Sequence, residues 1–176
     1  WDFVLSRANI TEKLNKTGGN YFKTVNPFVI HTDTPHVKDI VPYKNFLIPL
    51  TEFSNCYTIF FQQRHYGVGA HFLRSNKYKD WSPDKNIKIT DYSDLENYTG
   101  KDFPPGIYRD HLTHMPYDNL HGLSIYDIVQ WKMGDIIVFD SAQLHCSNDF
   151  RKYEDHDQKH ALSLFTNLGN INESNS

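Results

Sequence analysis

Short runs of aromatic and β-branched residues recur through most of the chain, and Gly, Pro, Asn and Asp separate one run from the next. Such side chains fit the pleated surface of a β-sheet better than the surface of a helix. The runs predict strands at 21–24, 28–32, 45–50, 57–62, 70–73, 127–131, 136–140 and 161–166. Because no long helical segment alternates with them, the pattern favours an antiparallel double sheet over a parallel α/β fold. We therefore predict a mainly β protein of the jelly-roll or cupin-like type, a double-stranded β-helix.

Two segments are predicted to depart from this pattern. Apolar residues near helical spacing predict a short N-terminal helix over 2–16, which Gly18 and Gly19 would end. Residues 75–120 are rich in Tyr, Pro and Asp and predict a long insertion with little regular structure, either a lid over a site or a surface elaboration. The length of 176 residues, without a shift in composition, indicates a single domain over 1–176. Because the chain begins with Trp1 instead of Met, we expect its N-terminus to be truncated.

Charge and cysteine content restrict the partners and the compartment. The 18 Lys and Arg residues are balanced by 21 Asp and Glu residues without a basic block, so a nucleic-acid partner is unlikely on composition. The sequence contains neither an apolar run long enough to span a membrane nor a signal-peptide-like start. Two cysteines, Cys56 and Cys146, are too few for a disulfide framework. We expect a cytoplasmic protein without a membrane partner.

Ten histidines are unusually many for this length, and two of them stand in patterns that suit a metal ion. His31 and Asp33 are two residues apart in a predicted strand, so an imidazole and a carboxylate would project from the same face. His145 follows a Gly-Asp turn and the strand predicted at 136–140. His36 is a competing ligand, although Pro35 makes a shared face with His31 less favourable.

A cation begins the last predicted strand. In that strand Lys159 shares one face with Ala161, Ser163 and Phe165, so a positive charge would lie at one end of an otherwise apolar surface. Arg151, six residues after His145, is an alternative cation for the same role. By itself, Lys159 is also compatible with a solvated lysine at a strand end, and His145 with a structural histidine.

The H-x-D triplet, the distant histidine and the later cation, in this order, resemble the iron(II)- and 2-oxoglutarate-dependent oxygenases. The resemblance covers roughly residues 20–168 apart from the insertion. It implies that His31, Asp33 and His145 are the iron ligands and that Lys159 binds the distal carboxylate of 2-oxoglutarate. It also implies a cosubstrate contact for Tyr21, which stands where prolyl-hydroxylase-like members have a tyrosine.

The chain departs from the family at the cosubstrate position, where most members have Arg, often followed two residues later by Ser. Here the corresponding residues are Lys159 and Ala161. The resemblance implies hydroxylation of a C–H bond in a peptidyl side chain, an amino acid or a small metabolite, with release of succinate and CO2. The carboxylate of Asp33 favours hydroxylation over halogenation, because halogenating relatives have a small residue there.

Two other functions stay open at the level of sequence. One is a cupin metalloenzyme that does not use 2-oxoglutarate, although the H-x-H start typical of that class is missing. The other is a non-enzymatic β-sandwich binding module in which the H-x-D triplet is accidental.

Overall fold

The computed structural model describes residues 2–33, 42–64, 81–84, 87–89, 103–120, 122–153 and 158–168. Within them the protein is mainly β, as predicted, with two short α-helices and two short 3-10 helices. The helices are α1 (Asp2–Arg7) and α2 (Pro105–His111), and the 3-10 helices are Tyr117–Leu120 and Phe150–Lys152. The strands are β1 (Leu14–Thr24), β2 (Pro42–Pro49), β3 (Tyr57–Arg64), β4 (Trp81–Asp84), β5 (Ile87–Ile89), β6 (Ile125–Gln130), β7 (Ile137–Asp140), β8 (Gln143–Ser147) and β9 (Lys159–Leu168). No helix in the described part of the chain combines the length and the apolar character needed to cross a membrane.

The main strands form two antiparallel sheets. A four-stranded sheet has the order β1-β9-β2-β7, and a three-stranded sheet has the order β6-β3-β8; β4 and β5 pair separately. Leu47, Phe139 and Ala161 of the four-stranded sheet pack in one cluster with Phe60 of the three-stranded sheet and with Trp131. The two sheets therefore share a core, and this core contains the cavity described below.

The three-stranded sheet is buried on its other face as well. Ile59 and Phe61 of β3 flank Phe60 in sequence and pack in a second cluster, because successive side chains of a strand point to opposite faces. Segment 103–123 covers this face with five buried side chains among its described residues, namely Phe103, Leu112, Met115, Leu120 and Leu123. Part of the predicted insertion 75–120 thus contributes to the core, and the described residues of the insertion include β4, β5, α2 and the first 3-10 helix. Residues 75–80, 85–86 and 90–102 lie outside the described residues.

The predicted helix over 2–16 is too long, because α1 ends at Arg7 and β1 begins at Leu14. From Leu14 to Thr24, β1 pairs with β9, which follows it in the chain by more than a hundred residues. Gly19 lies within this strand: a Cβ atom there would come within 2.8 Å of Leu164 Cδ2 and 3.2 Å of the Ser163 carbonyl oxygen. Gly19 therefore permits close strand pairing, and neither Gly18 nor Gly19 ends a helix.

Five of the predicted strands correspond to β2, β3, β6, β7 and β9, and the prediction at 21–24 covers the end of β1. Residues 28–32 do not form a regular strand; a single bridge joins His31 to His145. The strand predicted at 70–73 lies outside the described residues. Strand β8 was not predicted, since its sequence Gln-Leu-His-Cys-Ser mixes polar and apolar residues, yet all five are buried.

Candidate metal centre

Backbone pairing brings two distant parts of the sequence together at the site. The His31 amide donates to the His145 carbonyl at 2.9 Å, and the His145 amide donates to the His31 carbonyl at 3.0 Å. The Asp33 amide continues this contact by donating to the Ser141 carbonyl at 3.3 Å. The two histidines are therefore direct neighbours across the sheet margin, with their ring centroids 4.2 Å apart.

The three side chains predicted as ligands converge. His31 Nε2 lies 3.7 Å from Asp33 Oδ1, and His145 Nε2 lies 3.4 Å from Asp33 Oδ2. One potential ligand atom from each residue lies within 4.8 Å of the other two. A cation with bonds of about 2.1 Å holds neighbouring ligand atoms about 3 Å apart and opposite ones about 4 Å apart, so one ion can contact all three.

The outer nitrogen of each imidazole is fixed by the backbone. His31 Nδ1 lies 2.7 Å from the Val29 carbonyl oxygen, and His145 Nδ1 lies 3.0 Å from the Gln143 carbonyl oxygen. A carbonyl oxygen only accepts, so the proton of each neutral ring must be on Nδ1. The lone pair is then on Nε2 and faces Asp33, which is the tautomer that a metal ligand requires.

Asp33 is held in its ionised form. Burial favours the neutral acid, but the interactions with His145 and His31 and the hydrogen bond from Asn45 outweigh it and lower the pKa of Asp33 to about 2. Asn45 Nδ2 donates to Asp33 Oδ2 at 3.0 Å. The carboxylate is thus available to a cation at neutral pH.

A cavity of about 250 Å³ opens beside the three side chains, all of which line it. Much of its remaining wall is aromatic, with Phe22, Phe28, Trp131, Phe139 and Phe165. Polar groups of Asn20, Thr58, Ser147 and Ser163 also face it. The cavity therefore offers a mostly apolar space with a polar, anionic cluster on one wall.

Lys159 is buried next to the cavity wall, with 1% of its surface exposed. Its ammonium donates to Ser147 Oγ at 3.2 Å and lies 3.8 Å from the ring centroid of Trp131 and 5.3 Å from that of Phe150. No carboxylate among the described residues forms an ion pair with it. Burial lowers the pKa of Lys159 to about 8, although Cys56 opposes this shift. Lys159 contacts two residues of the cavity wall, Ser147 and Trp131.

Tyr21 does not line the cavity, so the structure does not agree with the expected contact between Tyr21 and the cosubstrate. Tyr21 is 58% exposed, and its hydroxyl lies 2.6 Å from His160 Nδ1. Its neighbours Asn20 and Phe22 line the cavity instead, because alternate residues of a strand share a face.

The alternative cation also lies elsewhere. Arg151 Nε donates to Asp149 Oδ1 at 3.1 Å, and the arginine side chain is 43% exposed. Arg151 therefore has its own carboxylate partner at the surface, whereas Lys159 is buried next to the cavity. The competing ligand His36 lies outside the described residues.

Sequence reasoning missed two residues that support the site. Asn45 is a polar residue in the middle of the apolar strand β2, and such a residue, when buried, needs hydrogen-bond partners. Ser141 directly follows β7 and the strand predicted at 136–140, and its residue type alone does not indicate a contact with Asn45. The signal for Asn45 was present in the sequence, but its contact with Asp33 depends on the tertiary fold.

Comparison of the chain with protein-family models, curated proteins and solved structures finds no match. The function is therefore inferred from the geometry of the site.

Proposed function

We propose that the protein is an Fe(II)- and 2-oxoglutarate-dependent dioxygenase that hydroxylates a C–H bond. The observation that carries this proposal is a cavity with His31, Asp33 and His145 converging on its wall and, next to that wall, the buried Lys159, which has no ion-pair partner among the described residues. The first feature suits a divalent metal ion, and the second suits an anionic ligand placed between the metal and the lysine.

The ligand set favours iron over other common metals. Two imidazoles and one carboxylate form the facial triad of non-haem Fe(II) oxygenases, which leaves three coordination positions open. His31, Asp33 and His145 would hold the ion, and its open positions would be free for 2-oxoglutarate and dioxygen. When bound, Fe(II) and 2-oxoglutarate would supply oxidative decarboxylation to succinate and CO2, coupled to hydroxylation of the substrate.

Lys159 would hold the distal carboxylate of 2-oxoglutarate. Its ammonium now has a hydroxyl and two aromatic faces as partners, and these compensate only partly for the loss of water. A carboxylate would form a charge-assisted hydrogen bond with Lys159 and would also accept a hydrogen bond from Ser147. Trp131 is fixed beside the lysine, because its Nε1 donates to Thr58 Oγ1 at 2.8 Å.

The topology supports the finer fold assignment, a jelly roll of the double-stranded β-helix type. Eight strands are counted when the separate β4–β5 pair is left out and the segment that bridges β8 at His31 is taken as the second strand. In this count the four-stranded sheet, β1-β9-β2-β7, contains the first, eighth, third and sixth strands. The other sheet then contains the second, seventh, fourth and fifth. Consecutive strands then alternate between the two sheets except for the fourth and fifth, which share one sheet, and this is the double Greek-key path of a jelly roll.

The substrate is proposed to be a peptidyl side chain, an amino acid or another small molecule. The aromatic wall of the cavity would exclude water from the C–H bond and hold it close to the metal. Asn20 and Ser163, which line the same cavity, are available to hydrogen-bond with polar groups of the substrate.

Metal binding and succinate formation test the proposal. The purified full chain is reconstituted anaerobically with Fe(II), and succinate is then measured by mass spectrometry in air with 2-oxoglutarate and a panel of amino acids and peptides. We expect one metal ion per chain and succinate formation that requires both iron and 2-oxoglutarate. Stoichiometric metal without such succinate would instead favour a cupin metalloenzyme, and a failure to bind metal would favour a binding module.

A further inference from the structure

Asn45 occupies an unusual position for an asparagine. It is 1% exposed and lies in β2, where it pairs with Phe139 of β7 and with Phe165 of β9. Asparagine is disfavoured within strands, and its buried amide requires hydrogen-bond partners. A residue fixed between two neighbouring strands has little freedom to move, so whatever its amide contacts is held with similar precision.

Both ends of this amide are occupied. Its Nδ2 donates to Asp33 Oδ2 at 3.0 Å, and its Oδ1 accepts from Ser141 Oγ at 2.8 Å. The orientation of the amide is unambiguous, since the carboxylate can only accept. Ser141 is itself held by the backbone, because its amide donates to the Tyr43 carbonyl and its carbonyl accepts from the Asp33 amide. Asp33 is thus tied to β2 and to the turn after β7 by one continuous hydrogen-bonded chain.

The two oxygens of Asp33 are otherwise similarly placed for a metal ion. Oδ1 lies 3.7 Å from His31 Nε2, and Oδ2 lies 3.4 Å from His145 Nε2. A carboxylate in this position could bind a cation with one oxygen or with both. Together with two imidazoles, two oxygens would leave two positions of an octahedral ion, which is one too few for a chelating 2-oxo acid and dioxygen.

We propose that Asn45 is a positioning residue that restricts Asp33 to binding the metal through one oxygen. The bond to Oδ2 uses a lone pair of that oxygen and fixes the plane of the carboxylate, so the third open coordination position is preserved. Ser141 supports this role by fixing the amide of Asn45. The inference rests on the metal site of the proposed function, but it concerns the number of open positions and does not require turnover.

The test uses Mn²⁺ alone as a paramagnetic probe with the purified full chain. Electron paramagnetic resonance gives the affinity, and water-proton relaxation gives the number of exchangeable water molecules bound to the ion. We expect three such water molecules in the wild-type protein. Asn45→Leu, which keeps the approximate volume but removes the amide, should have two, with 2-oxoglutarate affinity lowered about tenfold or more, within the range typical of lost outer-shell contacts.

Asn148→Ala is the matched control. Asn148 is also fully buried, but its amide bonds to the backbone of Tyr57 and Asn55 instead of to a ligand. This variant should lose stability while three water molecules remain on the ion. If Asn45→Leu does not fold, Ser141→Ala is measured in its place, and it should shift the water count in the same direction.

A water count of three in both Asn45→Leu and Ser141→Ala would overturn the inference, even if metal affinity falls. That result would make Asn45 a residue of structural importance only. Failure of the proposed function has a different signature: 2-oxoglutarate would displace no water from Mn²⁺ in the wild-type protein, whatever the effect of Asn45→Leu on the count.

Discussion

The candidate metal centre and the surroundings of Lys159 differ in how completely their polar groups are satisfied. At the metal centre, the outer nitrogens of His31 and His145 bond to carbonyl oxygens, and Asp33 accepts from Asn45. Next to the cavity, Lys159 has a hydroxyl, two aromatic faces and nearby cysteines around its charge. The candidate metal ligands are thus preorganised by the protein, whereas no described residue provides a carboxylate partner for the lysine. The following predictions test this contrast.

The largest effect is expected at the metal centre. Asp33→Ala removes the only anionic ligand of the candidate set, and we expect Mn²⁺ affinity to fall by more than about 100-fold. The fold should persist, because the hydrogen bonds between His31 and His145 come from the backbone. Metal affinity by calorimetry and the circular dichroism spectrum check both statements. His160→Ala is a suitable control, since His160 contacts Tyr21 outside the cavity; an equal loss of metal in that variant would contradict the assignment.

The next largest effect is expected on 2-oxoglutarate binding, and it distinguishes the role of Lys159 from that of the candidate metal ligands. Lys159→Met should lower the affinity for 2-oxoglutarate by about 10- to 100-fold, the range for a lost charge-assisted hydrogen bond. Metal affinity should stay within about threefold of wild type, because Lys159 is not a ligand. Equilibrium titration of the metal-loaded protein with 2-oxoglutarate measures the first quantity. Arg151→Met removes a cation that already has Asp149 as its partner, and it should leave 2-oxoglutarate binding unchanged. Equal effects of the two substitutions would refute the role of Lys159.

Lys159→Met, which should weaken 2-oxoglutarate binding, should increase the stability of the fold. A buried ammonium opposes folding when no carboxylate compensates its charge, and the described residues provide none, so Lys159→Met should raise the free energy of unfolding of the ligand-free protein by about 1–3 kcal/mol. Methionine approximates the length of the lysine stem and can pack against Trp131 and Phe150. Urea denaturation of both proteins without metal or 2-oxoglutarate measures the difference. A loss of stability would indicate that the contacts with the aromatic rings outweigh the cost of burying the charge.

The smallest effect is expected from pH. Burial lowers the pKa of Lys159 from 10.5 to about 8, so the ligand-free protein binds fewer protons than the unfolded chain between these values. Its stability should therefore rise as pH increases from about 8 to 10.5, and Lys159→Met should remove this increment. Affinity for 2-oxoglutarate should change in the opposite direction, falling above pH 8, because the carboxylate requires the ammonium form. Binding and denaturation series between pH 7 and 10 test both trends.

Much of the site could be predicted from the sequence because its signals are local. The spacing of His31 and Asp33 suits one face of an extended segment, and both residues do reach the same point. The position of Lys159 at the start of an apolar strand anticipated its inward orientation. His145 was identified from the turn and strand before it, although the strand that carries it was not recognised because it mixes polar and apolar residues.

The errors have a common physical origin in long-range contacts. Whether Tyr21 or its neighbours face the cavity depends on the pairing of β1 with β9, which the local sequence does not specify. The same pairing places Leu14 and the residues after it in a strand, although Leu14 stands near helical spacing from Leu5 and Ala8. The apolar residues of 103–123 have no regular spacing, so their packing against the outer face of β3 and β8 was not apparent.

The backbone bridge between His31 and His145 couples metal binding at the candidate site to the stability of the sheet edge. Two of the candidate ligands belong to a segment that is attached to β8 by a few backbone hydrogen bonds and not by a continuous ladder. An ion bound by these ligands would link the segment to β8, so separating the segment from β8 would require release of the ion. Metal binding and the pairing of the segment with β8 would therefore stabilise each other. The candidate metal centre would then stabilise the fold in addition to its proposed chemical role.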